Sequence, residues 1–308
     1  MDARALSVGR TTRPGVGAVA WHALWRGLIP VAGLILLAVF ILGPLISMAM
    51  WAFAGAWYYP HLIPQEWSFK WWTWVFTHTN VGDAIKLSLE AATLATIASA
   101  VLCVPAAYAF ARFRFRGKQP LMLSFLAANA FPKFGLYVSI ATLFYQLNVI
   151  DTLQGIVLIQ MIETVLFMIW IPATAFQNIP RSLEEAARDA GASAVRTFVR
   201  ITLPLAAPAI GVAMLLGFVS ALDESQGTLI VGLPDYRTVP LLMYDVINSY
   251  PLSVGGVFSL FLSLPSVIVS PWTLTVMVLL VWPAAMLAKV LLISVKSRPG
   301  AAVPGSVR

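Results

Sequence analysis

Apolar runs at 28–53, 84–111, 153–176, 204–222 and 272–295 leave this chain little choice of architecture. Each is at or near the ~20 residues that cross a hydrocarbon core. A backbone in lipid must satisfy its own N–H and C=O groups, so runs of this length are read as helices. Composition agrees: 59% of the 308 residues are hydrophobic and 11% charged, against roughly a quarter charged in soluble domains. The first run is too long for the apolar part of a signal peptide and lacks a small-residue cleavage site, so no cleavable leader is expected.

Residues 1–27, with Arg4, Arg10, Arg13 and Arg26, read as a flexible cytoplasmic tail. Pro44 is expected to kink the first span. The Trp-rich stretch 54–83 should lie flat on the far surface, since aromatic side chains favour the membrane–water boundary. The second span ends at Arg112-Phe113-Arg114-Phe115-Arg116-Gly117-Lys118, a basic hairpin that marks the inside face. A third span, 120–147, is interrupted at Asn129-Ala130-Phe131-Pro132-Lys133, and a turn over Asn148 to Asp151 leads into the fourth. The charged insert 177–203 carries Arg181, Arg188, Arg196 and Arg200 and belongs on the same side as the hairpin. Taking 254–270 as a re-entrant or surface-lying segment gives six spans, with both termini cytoplasmic as the charge rule requires. The expected fold is an all-α integral membrane protein of six transmembrane helices over 28–295, followed by a cytoplasmic tail, 296–308.

Within the insert, Ser182 to Ala190 reads as a short helix, with Ser182 and Glu185 three residues later forming a capping box. Gly191 permits the left-handed conformation that ends helices. Ala192 to Arg200 reads as a second short helix, with Phe198 and Val199 available to pack on the membrane stems. Pro204 opens the next span, where a missing N–H matters little. An amphipathic connecting loop is the plain alternative, and a lone Glu-Ala-Ala would not decide against it. The full spacing does: E-A-A, three residues, Gly, nine residues, I-x-L-P. A charged knob between apolar runs calls for a soluble partner.

That spacing resembles the permease subunits of binding-protein-dependent ABC importers of the type I fold, a likeness covering about 84–295. The resemblance implies that the insert is a coupling helix seated in a cleft of an ATPase subunit. Glu185, Ala186, Ala187 and Gly191 match the coupling motif, and Ile201, Leu203 and Pro204 match its tail. Glu184 and Asp189 of the same short helix are counted with the coupling set. It implies a bacterial inner-membrane location, an ATPase dimer, a second permease and an extracytoplasmic solute-binding protein as partners, and bilayer lipid around the spans. ATP and Mg would be bound by the ATPase subunits. The lone Gly117-Lys118 pair is followed by Gln119 and so fails the phosphate-cradling loop pattern. The chain is therefore expected to be a transport subunit and not an enzyme.

Ionisable residues at membrane depth are functional candidates. Lys133 stands beside the helix-breaking Pro132, with Asn129 adding polarity; its plain alternative is a snorkelling lysine. Glu163 lies within span four near Gln160 and Thr164, where an interhelical hydrogen bond competes with a role in lining a translocation path. Asp223 and Glu224, after span five, are expected to face a cavity or the second permease. Cys103 is alone, and His22, His61 and His78 are far apart in sequence, so no disulfide or metal site is expected. The net charge of +7 follows helix ends, not a basic face with interleaved aromatics, which speaks against nucleic acid.

For the solute, residues 176–185 look like sugar importers of the maltose type, while Ala221-Leu222-Asp223-Glu224 with Thr238-Val239-Pro240-Leu241 is similar to polyamine permeases. Asp189-Ala190-Gly191-Ala192 departs from the sugar-type pattern, and Lys133 would repel a polycation. The expectation leans to a carbohydrate or polyol-like solute. An ion-driven secondary transporter would need paired intramembrane acids, and a membrane enzyme a clustered nucleophile or acid–base pair. The scattered acids supply neither.

Overall fold

The computed structural model describes residues 16–266, with side chains for Leu28, 31–127 and 131–266. The expected span 272–295, the tail 296–308 and the Asn129 side chain lie outside the described set. Helix α1 runs Val16–Ala52, so the helix begins within the stretch expected as a tail. A short hairpin, β1 (Ala54–Ala56) with β2 (Glu66–Trp67), and α2 (Lys70–His78) follow. Next come α3 (Val81–Arg112), α4 (Lys118–Ala130), α5 (Lys133–Gln146) and α6 (Leu153–Asn178). The insert forms α7 (Arg181–Asp189), α8 (Ala194–Thr197) and a π-helical turn, Phe198–Thr202, that flows into α9 (Leu203–Leu222). The described chain ends with α10 (Gln226–Val231), α11 (Val239–Ile247) and α12 (Leu252–Ser266).

Four of these helices have the length and apolar character to cross a membrane: α1 over Val31–Ala52, α3, α6, and α8 through α9 as one run, Ala194–Leu222. The third expected span is two half-helices. Phe131 is extended ahead of Pro132, because the proline ring crowds the preceding residue out of the helical region. At the turn into α6, Asn148 and Asp151 take positive φ, 55° and 54°, which these two residue types tolerate.

The core is the bundle of α3, α6 and α9. Lipid tails are as apolar as leucine, so association in a membrane depends on close packing of small residues and on hydrogen bonds. Ala91, Ala92, Ala95, Ser99 and Ala107 of α3 are buried, as are Ala206, Ala213, Gly217 and Ala221 of α9. A Cβ on Gly217 would lie 3.2 Å from Met168 Cε and 3.4 Å from Thr164 Cβ. Ser99 and Thr164 share a short hydroxyl–hydroxyl hydrogen bond across α3 and α6. The bundle has a basic end, with Arg112 and α7, and a tryptophan end, with α2, α10, α11 and the start of α12.

The Trp-rich stretch is a folded cap and not a flat loop. Trp71, Trp72, Trp74 and Val75 fall on one stripe of α2 and pack with Ala52, Val81, Val246, Val254 and Phe258. The apolar stretch of α1 is exposed along its length, and only its last turn enters this cluster. Of the segment 254–270, expected to be re-entrant or surface-lying, Val254, Val257 and Phe258 are buried in the same cluster, and 267–270 lie outside the described residues.

Among the described glycines, Gly155 and Gly227 have the closest approaches. A Cβ at Gly155 would sit 2.2 Å from the Val149 carbonyl oxygen, and one at Gly227 2.3 Å from Ile159 Cγ2. Gly155→Ala and Gly227→Ala are each expected to destabilise the protein by about 1–3 kcal/mol. Gly211→Ala, with nothing within 4 Å, should be neutral or stabilise by up to about 1 kcal/mol. Thermal unfolding of the detergent-solubilised protein orders the three.

Candidate functional site

At the basic end, α7 stands out from the bundle as a short charged helix. Pro180 precedes it with non-helical dihedrals, so the helix starts at Arg181. Ser182 is then already inside the first turn, no side chain caps that turn, and the expected capping box is not made. The stop is as expected. Gly191 has φ +86°, with Gly191 N–H bonded to the Arg188 carbonyl and Ala192 N–H to the Ala187 carbonyl, both at 2.9 Å. These are the two bonds of a Schellman motif.

Of the expected coupling residues, Glu185, Ala186, Asp189 and Gly191 are exposed and Ala187 is half-buried. Ile201, in the turn below, and Leu203, which opens α9, are half-buried, and Pro204 beside it is exposed. Phe198 packs on Tyr108 and Phe176, as expected, whereas Val199 stays exposed because the π-helical turn rotates it off the stems.

Glu184 differs from its neighbour. It is 5% exposed and pairs with Arg112, Nη2 to Oε1 at 2.8 Å, with Arg112 Nε donating to the same oxygen at 2.9 Å. Thr202 Oγ1 donates to Oε1 at 3.0 Å and Tyr108 Oη to Oε2 at 3.3 Å. Arg112 also donates to the Ile179 carbonyl at 3.0 Å and accepts, through its own carbonyl, from Arg181 at 3.1 Å. Glu184 thus turns inward, away from any partner surface. Removing one member of a buried pair of this kind typically costs about 3–5 kcal/mol, because the other charge is left uncompensated. Arg112, Tyr108 and Thr202 were not singled out from the sequence; the one available signal was an arginine closing an apolar run.

A second group lies between α5 and α6. Lys133 is the first residue of α5, where the helix dipole disfavours a cation. Glu163 of α6 offsets this, 2.6 Å from Lys133 Nζ, and also accepts a short hydrogen bond from the buried Tyr137 hydroxyl. The Lys133 side chain is 38% exposed, that of Glu163 only 9%. Both line a cavity of about 160 Å³ with Phe125, Leu136 and Ile162. The interhelical bond expected for Glu163 is present, and the pair borders that cavity.

Glu224 does not face an open cavity. It is 5% exposed and accepts from Gly227 N at 2.6 Å, Thr228 N at 2.9 Å and Thr228 Oγ1 at 2.6 Å, capping the first turn of α10. Asp223 is exposed beside an apolar groove lined by Phe218, Leu222 and Phe261. Glu224→Leu should leave those N–H groups without an acceptor. Amides of 227–231 are then expected to lose hydrogen-exchange protection while those of α6 keep theirs.

Residues 103–291 match the family of binding-protein-dependent transport system inner membrane components. Over 194 residues the chain is 30% identical to an ABC transporter permease protein of Streptomyces antibioticus, covering 62% of this chain and 85% of that one. It is 29% identical over 194 residues to the galactooligosaccharides transport system permease protein GanQ of Bacillus subtilis, covering 61% and 66%. Against the maltose/maltodextrin transport system permease protein MalG of Escherichia coli K12 it is 32% identical over 173 residues, 54% of each chain. A bacterial ABC transporter that imports the acidic polysaccharide alginate has a chain of the same fold, with TM-score 0.65 at 20% identity, covering 86% of this chain and 99% of that one.

Proposed function

We propose that this chain, which belongs to the family of binding-protein-dependent transport system inner membrane components, carries a small hydrophilic solute across the inner membrane as one permease of an ATP-driven importer. It is a transport subunit, like its permease relatives, and not an enzyme. The observation that carries the reading is the knob at the basic end: a short helix presenting Glu185 and Ala186 to solvent, stopped by a left-handed Gly191 and seated between the ends of α6 and α9. The alanines let a partner approach closely, and Glu185 offers it a carboxylate. ATP and its magnesium sit on partner ATPase subunits. As those subunits close, they would drag α7 and tilt the helices attached to it. A second permease and an extracytoplasmic binding protein complete the assembly, with both termini of this chain cytoplasmic.

For the solute, the reading is a carbohydrate or polyol-like molecule, supported by the galactooligosaccharide and maltose/maltodextrin systems of the relatives. The charge of Lys133 no longer argues against a polycation, since Glu163 neutralises it at 2.6 Å. Lys133, Tyr137 and Glu163 are the groups proposed to meet solute hydroxyls on the path. The Lys133 ammonium has three N–H donors, so, being 38% exposed, it can donate to a solute hydroxyl while keeping its bond to Glu163.

The ATPase subunits should co-purify with the intact chain, and deleting 182–191 should release them without unfolding the spans. Glu185→Ala and Gly191→Val are expected to leave membrane insertion intact and to uncouple ATP hydrolysis from uptake; normal transport by both would sink the coupling assignment. Lys133→Met should weaken solute affinity about tenfold or more, the scale of one lost charge-assisted hydrogen bond, in uptake assays with candidate sugars. An unchanged affinity would return Lys133 to a purely structural role.

A further inference from the structure

We infer that Arg112 is a positioning residue: with Glu184 it clamps the coupling knob to α3, so that knob and bundle move as one body. The inference rests on the importer reading above. Covalently, α7 is joined only to α6, through Ile179 and Pro180, and to α9, through α8 and the π-helical turn. No covalent link joins it directly to α3, whose last residue lies 72 positions from Glu184, and the exposed Arg181 of α7 reaches only the Arg112 carbonyl, at 3.1 Å. The clamp supplies that link. One carboxylate gathers the end of α3 through Arg112 and Tyr108 and the root of α9 through Thr202. The same guanidinium holds the end of α6 through the Ile179 carbonyl. All three bundle helices therefore meet at one buried ion pair.

Burial makes the joint stiff. The Arg112 and Glu184 side chains are each 7% exposed, so screening by salt and exchange with water are small. Tyr108 is braced in turn by Phe176 and Phe198 in edge-on ring contacts. Glu185, one residue on and about 100° around the helix, is left free for the partner. Adjacent glutamates thus divide the work: one faces out to receive force and one faces in to hand it to α3. Without the inner one, a pull on α7 would rotate the knob about its two covalent strands.

The test uses the assembled complex with its ATPase subunits, carrying Cys103→Ala and spin labels at the exposed positions Ala190 and Arg116. In the otherwise wild-type chain the label-to-label distance should be narrow and the same with and without ATP plus EDTA. In Arg112→Gln it should broaden, and shift by at least about 2 Å when ATP is added, the scale of an interhelical slip, while the ATPase subunits stay bound. Glu185→Gln, on the same helix but outside the clamp, should keep the narrow distribution. Should Arg112→Gln fail to fold, the double variant Arg112→Gln with Glu184→Gln leaves no orphan charge and should show the same shift. A distribution in either clamp variant as narrow and as insensitive to ATP as wild type would overturn the clamp. If no ATPase subunit accompanies the wild-type chain, the importer reading fails first, before any distance is measured.

Discussion

Ala107 of α3, Met168 and Ala173 of α6 and Ala206 and Ala213 of α9 share one buried cluster, and both ends of the molecule hang from that contact. Water drives no helix together inside a bilayer, so the attraction must come from many short-range contacts, each worth little alone. Small side chains make this possible by letting backbones approach. The same closeness brings Ser99 within hydrogen-bonding reach of Thr164 and sets Gly217 against Met168. A bulkier residue on this seam would push the helices apart along their length, and the hydrogen bonds at either end would lengthen together.

Given that seam, the treatment of buried charge separates the candidate residues by role. Among the described residues three carboxylates are withdrawn from solvent: Glu163, Glu184 and Glu224. Each has a different answer to the penalty of burial. Glu184 faces an arginine that is itself buried, 7% exposed, whereas Glu163 faces a lysine that is 38% exposed. That difference sets the two pairs apart. The Arg112 pair would need two charges to be resolvated, which suits a fixed joint; the Lys133 pair borders a cavity, which suits the solute contact proposed for it. Glu224 has no cation at all and is held by the N–H groups of α10, which suits a cap.

The spans over α3, α6 and α9, the break at Pro132 and the stop at Gly191 were legible because each depends on local chemistry: apolar length, a proline ring, a residue free to take positive φ. Among the described residues four helices are long and apolar enough to span, and the expected span 272–295 lies outside them. Glu184 and Glu185 could not be told apart, because adjacent identical residues differ only in which side of a helix faces Arg112, a partner set by tertiary structure. The misread capping box has a local cause, since Pro180 already starts the helix one residue before Ser182. Glu224 did carry a readable signal, an acid three residues ahead of a glycine that opens a short apolar turn, but its place after a span points as readily to a cavity or a second permease. In the Trp-rich stretch, interfacial preference points to a flat loop, but the stripe that Trp71, Trp72, Trp74 and Val75 make on a helix buries them in the cap.

Force entering at α7 has three routes into the bundle, and they differ in stiffness. Toward α6 it passes through Ile179 and Pro180, where the ring fixes one dihedral. Toward α9 it passes through a helical turn of π geometry, whose wider hydrogen-bond ring is a common place for helices to adjust. Toward α3 it passes through a buried ion pair with no covalent slack. At the tryptophan end the same helices are tied sideways: Asp151 of the α5–α6 turn bonds Val231 and Asp235, at 2.7 and 3.1 Å, and Ser88 of α3 accepts the Val239 N–H at 2.8 Å. A displacement shared equally by α3, α6 and α9 would reach those ties as rigid-body motion and leave them intact. A displacement that reached α6 and α9 but not α3 would shear the small-residue seam between them, the costliest place in the molecule to deform.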